Sequence, residues 1–171
     1  PAIAMQIDGI GSEGPQRALQ RAAARTAELV RCLRAARLRE GTALAVAGDR
    51  VLAPVHTRVD PNVLLADAGW LPRLPLASRE GVWQAIVRST DMLATVHAES
   101  EEAAIAVRSI LEEAALVTRA FRVLPASVLQ QRHGDPRAWF GLEAAPGYVF
   151  GDDAAGPLLR AADRRAAGAA V

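Results

Sequence analysis

The sequence predicts an α/β fold that opens with a parallel strand–helix–strand unit and continues as a mixed α+β region. Three observations carry this expectation. Two apolar runs, Ala2–Ile7 and Thr42–Ala47, flank a long segment with helical spacing. A second helical segment starts near Ser100, and short strand-like runs separated by turns fill the remainder. The chain has 171 residues, 51% of them apolar, enough for a domain that buries roughly 70% of its unfolded surface.

Each element follows from local chemistry. Ala2–Ile7 reads as a buried strand ending at Asp8, with Gly9 and Gly11 after it. Pro15 opens the helix, where its missing N–H has no intrahelical partner to lose. Leu19, Ala22, Ala23, Thr26, Val30 and Leu33 recur at spacings of three and four and mark its buried face. Gly41 ends the helical stretch, and Thr42–Ala47 is a continuous apolar run suited to a parallel strand. A loop follows Gly48. Asp60 is expected to cap, and Pro61 to start, a short helix through Ala68 that Gly69 stops. Pro72 and Pro75 mark a connector, and Met92–His97 alternates as a strand. Ser100-Glu101-Glu102 opens the second helix with acids at the favourable end of its dipole, and Ile105, Ile110 and Leu111 lie on its apolar side. Phe121–Leu124 and Trp139–Leu142 read as strands on either side of a turn at residues 133–136. The chain thus divides into a strand–helix–strand part at residues 1–61, an α+β part at 62–156, and an Ala/Arg-rich tail at 157–171, expected to fray.

Composition excludes several classes. No apolar run approaches the ~18 residues of a membrane helix, and the N-terminal segment lacks the order of a signal peptide. The expected partners therefore include no membrane, and the cytoplasm is the expected compartment. The start at Pro1, without a Met, reads as a cut end. Cys32 is the single cysteine, which excludes disulfides and cysteine-based zinc sites. All 20 basic residues are arginine, yet the net charge is only +1. Arg17, Arg21, Arg25, Arg31, Arg34, Arg37 and Arg39 crowd the first helix, but aromatic residues make up 4% of the chain and none interleaves with them. Base stacking is unsupported, so no nucleic-acid partner is expected.

Three stretches resemble the type I phosphodiesterase / nucleotide pyrophosphatase family of the alkaline phosphatase superfamily. They are Asp8-Gly9-Ile10-Gly11-Ser12 with Gly14-Pro15, the run Val46–Arg50 continuing through Ala53–Thr57 and Pro61–Leu65, and Phe140–Asp152. The resemblance implies that residues 1–61 are the strand–helix–strand part of an alkaline-phosphatase-like sheet and that 62–156 are a cap-like α+β insertion, the chain covering the C-terminal half of the family's catalytic domain. It implies two divalent metals, usually zinc, that activate a Thr or Ser nucleophile and hold the developing charge. Asp8 and Asp49 fall on family metal ligands, whereas Ser12 and Arg50 replace family histidines. The family's nucleophile segment and last ligand histidine have no counterpart in these 171 residues. Two remnant carboxylates fall short of a two-metal ligand set, so no cofactor is expected in this chain, and Arg50 is expected to balance Asp8 or Asp49 in place of a lost cation. The expected function is a degenerate, non-catalytic relative with a structural or interaction role, docking on a missing N-terminal half or a second copy. The alternatives are a piece of an active phosphodiesterase completed by such a half, and an unrelated α/β binding domain.

The remaining candidates carry blander expectations. His56, His97 and His133 show no paired metal-ligand spacing; His56 is the candidate for a substrate mouth, and the other two are expected to be structural or solvated. Cys32 is expected to be a passive thiol. Trp70, Trp83 and Trp139 are expected to anchor a core or an interface, and Glu101, Glu102, Glu112 and Glu113 to form an exposed helix face.

Overall fold

The computed structural model describes residues 12–47, 50–73, 82–131, 134–163 and 166–170, giving the backbone alone at 39, 50, 51 and 166–170. It is a mixed α/β protein whose strands form two sheets. The chain separates into two compact units, residues 1–54 with 164–171, and residues 55–163.

In the first unit, helix α1 (Glu13–Ala35) forms where the periodicity places it, with Glu13 in its first turn and Arg34 in its last, as the dipole favours. Its burial departs from the expected face. Pro15 and Ala18 are buried, Thr26, Val30 and Leu33 are half-buried, and Leu19, Ala22 and Ala23 are exposed. A 3-10 turn at Arg39–Gly41 follows. The strand expected over Thr42–Ala47 does not form; this run is exposed and without regular structure. Half of it is alanine, with little side chain to hold a pleated surface. The expected strand Ala2–Ile7 lies outside the described residues.

The segment expected to be a loop is instead the longest strand among the described residues, β1 (Arg50–Val59). Its first half pairs antiparallel with β8 (Ala166–Ala170), from Arg50 opposite Ala170 to Pro54 opposite Ala166. The tail expected to fray therefore supplies a strand. Proline lacks a donor for the ladder, and Pro54 falls where β8 is the one described neighbour of β1.

The second unit contains the other sheet partners. The second half of β1 lies between β6 (Gly147–Phe150), which runs parallel to it, and β7 (Leu159–Ala161), which runs antiparallel. The parallel pair is not the expected one of Ala2–Ile7 with Thr42–Ala47 but β1 with β6, some 90 residues apart in sequence. Helix α2 (Asn62–Asp67) follows β1 and ends at Gly69, whose φ of +83° suits a residue without a Cβ. Asp60 caps it only through its backbone carbonyl, which accepts from Val63 N; its side chain is engaged elsewhere.

The second sheet is antiparallel in the order β2 (Ala85–Thr90), β3 (Leu93–Ala98), β5 (Phe140–Ala144), β4 (Phe121–Pro125). Asp91, at φ +62°, makes the tight β2–β3 turn, a conformation that aspartate tolerates better than most residues. Helix α3 (Glu101–Thr118) packs on this sheet; Ala103, Ala104, Val107 and Leu111 are buried, and the Ser100 hydroxyl caps it by accepting from Ala103 N. Directly opposed residues share a face, so Val87, Val96 and Phe140 lie together, with Arg108 of α3 over the Phe140 ring. Helix α4 (Ala126–Gln131) covers the other face at Gly141, where an added Cβ would meet Leu129.

Candidate functional site

The carboxy ends of a parallel pair are where polar groups gather above an open sheet. Here Val59 pairs with Phe150, so Asp60 and the run Gly151-Asp152-Asp153 leave the sheet side by side. Asp60 is 1% exposed and its Oδ1 accepts from Arg58 Nε at 3.0 Å, Arg58 Nη2 at 2.8 Å and Asp153 N at 3.1 Å. Its Oδ2 lies 3.0 Å from Arg160 Nε, an ion pair whose angle makes no directed hydrogen bond. Asp153 closes the ring, pairing with Arg58 at 3.1 Å and with Arg160. Gly151 is required beneath this ring, because a Cβ there would overlap Arg58 and Asp60.

The residues that follow β1 and β6 reach the edge of β2. Asn62, fully buried, accepts from Val87 N at 2.9 Å and donates to Val87 O at 2.8 Å. Asp152 accepts from Ser89 N and from the Ser89 hydroxyl, both at 2.9 Å, and Trp70 O accepts from Ala85 N. Alternate residues of the edge strand thus find loop and side-chain partners in place of a neighbouring strand.

The residues singled out in the sequence fall elsewhere. Asp8 and Asp49 lie outside the described residues, as does the Arg50 side chain; Arg50 itself begins β1. Ser12 stands at the N-cap position of α1. His56 is on β1, its Nδ1 2.7 Å from Thr57 Oγ1 and its ring edge-on to Tyr148 at 5.3 Å, with Gly147 packed against it. Among the described residues, no three His, Cys, Asp or Glu side chains stand close enough to hold a metal ion. His56 is an exposed residue of β1, and Asp8, Asp49 and the Arg50 side chain, the site residues expected near it, lie outside the described residues. Cys32 is exposed on α1, and Glu101, Glu102, Glu112 and Glu113 form the expected exposed face.

A second polar place was missed by sequence reasoning. Trp83, Arg88, His97, Ala98, Asp135 and Arg137 line a cleft of about 300 Å³. Arg88 is opposite Thr95 on the β2–β3 ladder, and Ile86 is opposite His97, so Arg88, Thr95 and His97 share one face. His97 Nε2 is 3.1 Å from Thr95 Oγ1, the direction of that bond following the tautomer. Burial pushes the His97 imidazole below its ordinary pKa, with Arg88 and Arg137 acting in the same direction and Asp135 opposing. Arg137 bonds Asp135 through its side chain at 3.2 Å and its backbone at 2.9 Å, and holds that carboxyl at about 2. The signal for this cleft was the alternation Arg88, Thr90 across a two-residue turn from Leu93, Thr95, His97, visible once Ala85–Thr90 is read as a strand.

No protein-family model, curated protein or solved structure matches this chain.

Proposed function

We propose that this chain is a non-catalytic domain with a structural or binding role, as expected of a degenerate relative of the metal-dependent phosphodiesterases. One observation carries the reading: at the carboxy ends of β1 and β6, Asp60 and Asp153 are bound by Arg58 and Arg160. A carboxylate whose oxygens face two guanidinium groups is neither a ready metal ligand nor a general base, because either role requires breaking charge-assisted hydrogen bonds. Metal is therefore not expected at these strand ends; at the family's own ligand positions, where Ser12 and Arg50 replace histidines, Asp8 and Asp49 would be relics, with Arg50 as their counter-charge. The exposed Leu19 and Leu29 of α1 offer apolar surface to a missing half or a second copy, and native mass reads that association. The test of the central reading is calorimetric titration with zinc, followed by hydrolysis of bis(4-nitrophenyl) phosphate with zinc present. No stoichiometric zinc binding and no turnover above buffer are expected. One or two zinc ions bound per chain, with metal-dependent turnover, would overturn the reading.

A further inference from the structure

The β2–β3 cleft has the charge and shape of a binding site that the non-catalytic reading does not use. Helix α4 covers its face of the sheet over β4 and β5, where Leu129 sits on Gly141. The β2–β3 part stays open, bounded by Trp83 and by the turn bearing Asp135 and Arg137. Asp135 and Arg137 neutralise one another through side-chain contacts at 3.2 Å. Arg88 has no ion-pair partner among the described residues and is exposed toward the cleft it lines. With His97 neutral, the described lining carries one unbalanced positive charge, on the side chain best shaped to grip a carboxylate in a fork. The half-buried Trp83 contributes an apolar flat wall. A cleft of about 300 Å³ lies at the small end of ligand sites.

We infer that this cleft binds a small aromatic monocarboxylate, its carboxylate on Arg88 beside Thr95 and His97 and its ring against Trp83. A single negative charge matches the one unbalanced cation of the described lining, whereas against that lining a dianion would leave one charge uncompensated in a partly desolvated place. The inference stands apart from the absence of catalysis: its test involves neither metal nor turnover, so each idea fails by its own measurement.

The experiment is an NMR titration of the full chain with benzoate, benzamide and acetate, following the Trp83 indole N–H and the His97 ring. Benzoate is expected to shift both signals saturably in the millimolar range. Benzamide, which lacks the charge, and acetate, which lacks the ring, should each bind about tenfold more weakly, the loss of one good interaction. Arg88→Gln should weaken benzoate about tenfold while leaving benzamide unchanged. Arg137→Gln keeps Arg88 but cancels the net charge, and should weaken benzoate by a smaller factor. Equal affinity for benzoate and benzamide would overturn the inference, as would unchanged benzoate binding in Arg88→Gln, or no saturable shift at Trp83 and His97. Should Arg88→Gln fold poorly, the contrast between the three ligands on the unmodified chain decides alone.

Discussion

The ends of β1 and β6 and the cleft on β2–β3 use the same materials, arginine and aspartate, to opposite effect. At the strand ends two aspartates and two arginines close on one another around a carboxylate that is 1% exposed. In the cleft one pair cancels and one arginine is left over. The first arrangement pairs off its charges around a buried carboxylate; the second is open and leaves one cation of the described lining without an ion-pair partner. Counting charged residues does not distinguish the two. Burial and pairing do.

The comparison breaks most sharply at Asp60. Asp60→Ala leaves Arg58 and Arg160 without their central partner, and stability should fall by about 3–5 kcal/mol, since breaking a buried pair strands a charge. Urea unfolding measures this; a loss under about 1 kcal/mol would place Asp60 among ordinary surface ion pairs. A smaller loss, about 2–3 kcal/mol, is expected for Asn62→Ala, which orphans the N–H and carbonyl of Val87. Its measure is the same unfolding curve together with faster amide exchange at Val87.

The smallest effect belongs to the cleft and depends on pH. The native His97 pKa lies below its unfolded value of about 6.5, so the unfolded chain takes up the proton first as pH falls. Stability contributed by the neutral imidazole is therefore fully present above about pH 6.5 and declines below it, until the native ring also protonates. His97→Gln should remove this slope and leave stability near pH 8 almost unchanged, read by urea midpoints across the acid range. Asp135, which lines the cleft with Arg88 and Arg137 and stands 4.0 Å from His97 Nε2, does not obscure the result. Its depressed native pKa of about 2, against 3.8 ordinarily, confines its loss to more acidic solution. An unchanged slope in His97→Gln would show that the ring is solvated rather than held neutral.

Much of the second unit was legible in the sequence, and the reasons are local. Ser100 with Glu101 and Glu102 announces α3, and Gly69 announces the end of α2, because caps and left-handed turns act within a few residues. Strand β1 was illegible because Pro54 interrupts it and its partners lie about 90 to 120 residues away. The alanine-rich run Thr42–Ala47 looked like a strand because apolar content alone does not supply a neighbouring strand. Asp60 suits a cap from its place before Pro61, and its engagement is only partly local: Arg58 is two residues away, but Asp153 and Arg160 reach it from about a hundred residues along the chain. The cleft depended on recognising a hairpin, whose register, rather than its composition, places Arg88 beside His97.

The covered edge of β2 has one more consequence. A sheet margin that shows free amides is a template on which another chain can add a strand, and many proteins guard such margins with lysine, which this chain does not contain. Along β2, Ala85 N, Val87 N and Ser89 N already donate to Trp70 O, Asn62 and Asp152. Intermolecular strand addition at that margin must first detach the loops leaving β1 and β6, so resistance to growth there is coupled to the integrity of the same ion-paired strand ends.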